Sequence, residues 1–387
     1  MKLKFAFARK VAVGLMAVAV AAAGANAFAA NYTWKGATSA NGKIWSTASN
    51  WSQAATPAIA PPDFSTVVIG PIGGGTTIPV QRQINVTTDT NEITSMTFTD
   101  NLAGYEFTGA GNVVVNGAIV NNSTTLSTGG TDKASVVLKL VQLNGDSTLS
   151  GSGAATEIYQ EISSVDPLNP NTLTVTGNNL ILQGTTVNAN LLASTGSFVS
   201  LDSAPSFRDL TIGAAGSLGG LPNRDPDVFF GATGTGTLDL KNGSNSYFAV
   251  KNDAEYDQFA TTGTISFGGT LNVDWAQVGS STFENYTTFD LFNGSTYSGN
   301  FSAVSLAGAA APYDTLTFTQ FGTEWSTQPF VGQGGQQQWL VFQSQSGNLV
   351  VVPEPSTIVF AGLGVAMSGW TMWKKRRLSK LLAAKVA

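Results

Sequence analysis

The chain has 387 residues, 42% apolar and 11% charged, with no cysteine and no histidine. The two zeros exclude disulfides, thiol nucleophiles and iron–sulfur clusters, and every mechanism built on histidine, from Ser-His-Asp catalysis to His-ligated zinc or haem. Glycine, serine, threonine and asparagine fill the space left by charge, a mixture that suits many short strands joined by tight turns, because Asn and Gly supply the positive φ such turns need.

Residues 1–29 read as an export signal. Lys2, Lys4, Arg9 and Lys10 make a positive start, and Val11 to Ala23 is an apolar run too short to span a bilayer comfortably. Ala25-Asn26-Ala27 and Ala27-Phe28-Ala29 both fit a small-x-small site for signal peptidase, with the cut after Ala29 preferred over Ala27.

Residues 30–79 are aromatic and irregular. Tyr32-Thr33-Trp34, Trp45 to Ala48 and Asn50-Trp51 precede the proline-rich Thr56 to Pro62 and a strand at Thr66 to Ile69. Three tryptophans this close need burial, as a cap over the open end of a stacked core; the alternative is an exposed platform for sugar rings. The order T-W…W…A-x-N-W…P resembles the N-terminal segment of exported bacterial β-helix proteins carrying autotransporter-associated repeats.

From 80 to 255 the chain reads as a series of strands separated by turns, and the series runs on to Asp274. Strand-like runs fall at Ile93–Thr99, Asn112–Val120, Ser135–Leu143, Leu173–Leu182, Phe198–Leu201, Asp209–Ile212, Gly236–Leu240 and Gly263–Val273. Several alternate apolar with polar, and no stretch is persuasively helical. The spacing between strong runs, roughly 20 to 35 residues, lies in the range of solenoid repeats. The fold expected is therefore all-β, a right-handed parallel β-helix whose coils bury apolar residues against one another. Its competitor is a β-sandwich, favoured by Asn-Gly pairs at Asn116, Asn144, Asn242 and Asn293, which are hairpin signals.

Two acidic groups in this region could carry chemistry. Arg224-Asp225-Pro226-Asp227 follows Leu221-Pro222, and Asp225 and Asp227 could coordinate calcium weakly or pair as acid and base, with Arg208-Asp209 as a neighbour. Asp-Pro is also an ordinary turn sequence. Asp253, Glu255 and Asp257 alternate in the manner of a solvated face, with calcium binding as the alternative. The loop Ile72 to Thr76 lacks the lysine of a phosphate-binding loop. No catalytic residue, cofactor or firm metal ligand emerges.

Residues 256–352 run Tyr256-Asp257-Gln258-Phe259, Gly269 to Val273, Phe289-Asp290-Leu291-Phe292, Gly299-Asn300-Phe301 and Leu340 to Val352. That order resembles the C-terminal unit of exported β-helix proteins, with Phe259 where the pattern has leucine. Its aromatic side chains read as a second cap that blocks open strand edges.

The last segment, 353–377, begins with Pro353-Glu354-Pro355, a stiff extended stub. Residues 357–373 follow, an apolar run covering about 25 Å as a helix, short but workable for a transmembrane span. Lys374, Lys375, Arg376 and Arg377 would hold its far side in the cytoplasm, and 378–387 would form a cytoplasmic tail. Pro-Glu-Pro, a short span and a basic cluster resemble the PEP-CTERM sorting signal. The resemblance implies a processing partner, an exosortase, acting on an inner-membrane-anchored precursor.

Without these ends the body keeps nine cations against 23 acids, a net charge near −14 that disfavours nucleic acid. The expectation is a non-enzymatic, exported protein of the cell surface or extracellular matrix, structural or adhesive, in contact with polysaccharide. The rival is a carbohydrate-active enzyme, a lyase or hydrolase, which would need convergent carboxylates in one groove, with Asp209, Asp225 and Asp227 facing it together as the discriminating observation.

Overall fold

A computed structural model describes residues 31–34, 44–53, 60–70, 82–99, 104–124, 134–220, 229–276, 278, 283–284, 286–311, 313–332 and 335–353. These residues form 29 strands and one 3-10 turn, Ala48–Asn50. Alternation decides their faces. In Thr172–Thr176 and Ser65–Ile69 every second residue is buried, as a pleated strand over a core requires.

Twenty-three strands join in one sheet. Asn31–Trp34 pairs antiparallel with Trp51–Gln53, and the other pairings in this sheet are parallel. A parallel partner cannot be reached by a two-residue hairpin, so each connection carries the chain across before the next strand pairs.

The expected right-handed β-helix is corrected. In place of the solenoid, six parallel strands form a closed barrel to which the other strands of this sheet are added. Closure removes the open edge from those six strands, while the added strands Phe292–Gly299 and Ala303–Ala307 each pair on one side only. A degenerate strand spacing does not distinguish one parallel arrangement from another. The sandwich alternative misread the Asn-Gly pairs. Asn116-Gly117 lies inside strand Val113–Asn121 and Asn293-Gly294 inside Phe292–Gly299, both in parallel ladders. The expected membrane helix, 357–373, lies outside the described residues, and among the described residues no helix is long and apolar enough to cross a membrane.

Strand limits follow the expected runs closely, with two exceptions. The run Leu173–Leu182 is two strands, Thr172–Thr176 and Asn179–Gln183, parted at Gly177 with φ 62°. The run Gly263–Val273 is likewise split, between Gln258–Phe267 and Thr270–Asp274, at Gly269 with φ 66°.

The core lies inside the large sheet. Leu173, Leu191, Leu210, Leu238 and Ile265 stand in register on successive strands, each at most 1% exposed. Each such side chain contributes about 1.5–3 kcal/mol by burial. Near the N-terminus Trp34, Trp45 and Trp51 are 4%, 5% and 0% exposed, with Trp51 edge-on to both others at 4.8 and 4.6 Å. Buried rings offer no face to a sugar, so these tryptophans are core and not a platform.

A six-stranded antiparallel sheet completes the described residues: Thr288–Asp290, Asn348–Pro353, Gln337–Gln343, Glu324–Thr327 and Phe318–Phe321 in order, with Phe330–Val331 paired to Gln337–Gln343. It joins the larger sheet through aromatic packing. Phe342 meets Phe267, Phe292 and Phe301 at centroid distances of 5.9, 6.4 and 5.5 Å.

Candidate functional site

Of the residues singled out in the sequence, Ala27, Ala29, Asp225, Asp227, Glu354, Pro355, the 357–373 segment and Lys374, Lys375, Arg376 and Arg377 lie outside the described residues. Pro353 ends strand Asn348–Pro353, opposite Gln338. A strand end is where a residue without an N–H fits a ladder.

The acidic alternation divides. Asp253 is exposed, and Glu255 accepts from the Asn252 amide and pairs with Lys251 at 3.2 Å. Asp257 is 1% exposed and is no part of a solvated face; it accepts the backbone N–H groups of Phe230 and Ala249.

Asp209 and Arg208 do share a groove, but with partners that sequence reading did not name. Glu161, Ser163, Asn188, Thr235 and Pro167 line the same cavity, of ≈ 670 Å³. These residues come from strands Ala155–Ser164, Thr186–Ala193 and Ser206–Ile212, from the connection after the first of these (Pro167), and from the turn between strands Gly231–Gly234 and Leu238–Leu240 (Thr235). The strands are adjacent: Glu161 is in register with Thr186, and Thr186 with Ser206. Between Val187 and Asn190 the pairing slips, so that Asn188 and Ala189 oppose Arg208 alone. Such a bulge bends the strand and re-aims its side chains, here toward the groove.

Four groove side chains, Glu161, Asn188, Asp209 and Arg208, are held by neighbours. Asn188 Nδ2 donates to Glu161 Oε1 at 3.1 Å, and the Thr237 N–H donates to Asp209 Oδ1 at 2.7 Å. Arg208 Nη1 donates to the carbonyl of Pro167. Pro167 belongs to a loop that Asp166 braces by accepting from the backbone N–H groups of Leu168 and Asn169 at 2.9 and 3.2 Å. The Asn169 side chain, then those two N–H groups, hold the Asp166 carboxyl below its usual value. Val165 and Leu168, 49% and 85% exposed, give this loop an apolar tip.

Next to the groove lies a polar array. On the outward face opposite the Leu173–Ile265 column, Thr172, Asn190, Asp209, Thr237, Thr264 and Thr296 form one file across successive strands. Thr174, Leu192, Thr211, Asp239, Ser266 and Ser298 form a second, two residues along each strand. Strand geometry sets the spacing at about 4.8 Å between strands and about 6.7 Å between files. Hydroxyls meet across strands, Thr264 with Thr296 at 2.7 Å and Ser266 with Ser298 at 2.9 Å. Asp209 belongs to both the array and the groove.

Glu161 and Asn188 carry no local motif. They lie 48 and 21 positions before Asp209, and only the ladder brings them to it. The array had a sequence signal, the polar residues of T-x-T, D-x-T and T-x-S triplets, but no sign of which triplets stand side by side. Comparison with protein-family models, with curated proteins and with solved structures finds no match to this chain.

Proposed function

We propose that this is an exported, non-enzymatic bacterial protein of the cell surface or extracellular matrix that adheres to polysaccharide through the outer face of its large sheet. The observation that carries the reading is the two-file array of hydroxyl, amide and carboxylate groups, interrupted only at Leu192 and partly or fully exposed on a rigid β surface. A sugar chain is a repeating set of hydroxyls, and a regular row of small donors and acceptors can meet it through many weak hydrogen bonds, each worth about 0.5–1.5 kcal/mol. Fold alone supports no function, so the weight rests on this surface.

The route to the surface is read from the ends. Residues 1–29 direct export, and Pro353-Glu354-Pro355 with the apolar segment and basic cluster directs exosortase-type processing of a membrane-held precursor. The test is intact-mass analysis of the protein from its own host, by cell fraction, with binding of the isolated form to that host's extracellular polysaccharide. Loss of residues 1–29 and of the chain beyond about Pro355, with polysaccharide binding, is the expected result. Retention of Lys374 to Ala387 in the inner membrane would overturn the sorting half, and absence of polysaccharide binding the adhesive half.

A further inference from the structure

We infer that the groove of Glu161, Asn188, Arg208, Asp209 and Thr235 is a subsite for a neutral, hydroxyl-rich glycan and discriminates against uronate polymers. The inference rests on the adhesive reading above and adds the place and the charge class of the sugar.

The cavity, ≈ 670 Å³, is within the usual size range of small-ligand sites and has the convergent polar groups such sites use. Two carboxylates, one amide and the hydroxyls of Ser163, Ser164 and Thr235 offer mostly acceptors. A ligand that matches them must bring donors, as vicinal sugar hydroxyls do. Charge-assisted hydrogen bonds of this kind are roughly twice as strong as neutral ones. Arg208 adds one cation against two anions, so the groove is net negative. A carboxylated sugar would meet Arg208 but also the repulsion of Glu161 and Asp209, the unfavourable juxtaposition by which sites reject wrong partners. The groove holds only two carboxylates, and among the described residues no group of three or more His, Cys, Asp or Glu side chains could hold a metal ion. Pro167, on the Val165–Leu168 loop, lines the cavity with an apolar ring suited to the C–H face of a pyranose, and Arg208 holds that loop there. Through Asp209 the groove continues the array, so one glycan chain could lie on both.

The experiment is affinity electrophoresis of the mature protein from its host in gels containing neutral polymers (dextran, galactomannan, a β-1,3-glucan) or uronate polymers (alginate, polygalacturonate). The variants are Glu161→Gln and Asp209→Asn, which keep an acceptor for Asn188 and for the Thr237 N–H. Glu324→Gln, exposed on the antiparallel sheet, makes the same charge change elsewhere. Circular dichroism confirms that each variant folds. The expected result is tighter binding of at least one neutral polymer than of either uronate. Each groove variant then weakens neutral binding about tenfold, the loss of one charge-assisted bond, while Glu324→Gln does not. Neutral binding that both groove variants leave intact overturns this inference and spares the array. Preference for a uronate polymer also overturns it. Binding to none of the polymers overturns this inference and the adhesive reading together.

Discussion

Asp257 accepts the backbone N–H of Ala249 on its Oδ2 at 2.6 Å, eight residues back along the chain, with the carboxylate 1% exposed. Its Oδ1 accepts the N–H of Phe230 at 3.1 Å. One buried side chain therefore satisfies backbone donors of two segments that enter the sheet separately. Asp257→Ala would strand both donors, at about 1–3 kcal/mol each. Urea unfolding should show a loss of about 2–5 kcal/mol, and a smaller loss for Asp257→Asn, which keeps one acceptor. A loss under about 0.5 kcal/mol would show that the carboxylate is not a structural tie.

Gly236 sits beside the groove where the backbone of the preceding strand comes close. A Cβ there would overlap the carbonyl oxygen of Arg208 and the carboxylate of Asp209. Gly236→Ala is expected to cost about 1–3 kcal/mol, as overpacking does, and to weaken glycan binding because it displaces Asp209. Gly231→Ala, where an added Cβ meets open space, is the control for thermal unfolding.

Trp51 is fully buried, and its indole N–H donates to the carbonyl of Trp45 at 2.8 Å. Trp51→Ala should cost about 3–5 kcal/mol in a denaturant titration. Soluble sugars should leave the tryptophan emission unchanged, since these rings are core. A sugar-dependent shift in emission would return the cluster to the status of a platform.

Thr264 and Thr296 test the array without touching the core. Replacing both with valine keeps their shape and removes hydroxyls that meet at the surface. Stability should change by less than about 1 kcal/mol, while affinity for the bound polysaccharide falls. Unchanged affinity in gels containing that polymer would move the contact away from this end of the array.

Two groups give pH-dependent predictions of opposite sign. Burial pushes the Tyr313 phenol up to about 12, against about 10 in an unfolded chain. Its folded value is the higher, so its contribution is complete below pH of about 10 and is lost as pH rises from there toward 12. Tyrosinate absorbance during base titration should show a late-titrating phenol that appears with unfolding. Asp166 has the opposite sign. Its folded value lies below 3.8, so the brace it gives the Val165–Leu168 loop is complete above that value and is lost as pH falls through the folded value. Amide exchange at Leu168 and Asn169 should remain slow at pH 3.8 and quicken only below it.

The strands were legible because alternation is local. Leu173-Thr174-Val175 shows its inner and outer faces without reference to any other part of the chain. The burial of the tryptophans was legible too, since large rings crowded into a short segment have little alternative to packing on one another. How the strands pair was not legible. The Asn-Gly pairs carry a hairpin preference, yet at Asn116-Gly117 the parallel neighbours on both sides outweigh it. The same holds for the acids. Asp253, Glu255 and Asp257 look alike in sequence, and only the packing around them leaves one exposed and buries another.

The sequence by itself determined an all-β body, the absence of cysteine and histidine chemistry, the negative charge of that body and the apolar runs and basic clusters of its two ends, because each follows from composition or from residues a few positions apart. The tertiary structure alone decided that the parallel strands close into a barrel, that Glu161 meets Asn188 and Asp209 in one groove, and that threonines from separate strands make a single array. Those relations depend on pairing between residues tens of positions apart. Backbone hydrogen bonds make such pairing nearly indifferent to side-chain identity, so register is set by the fit of the whole core.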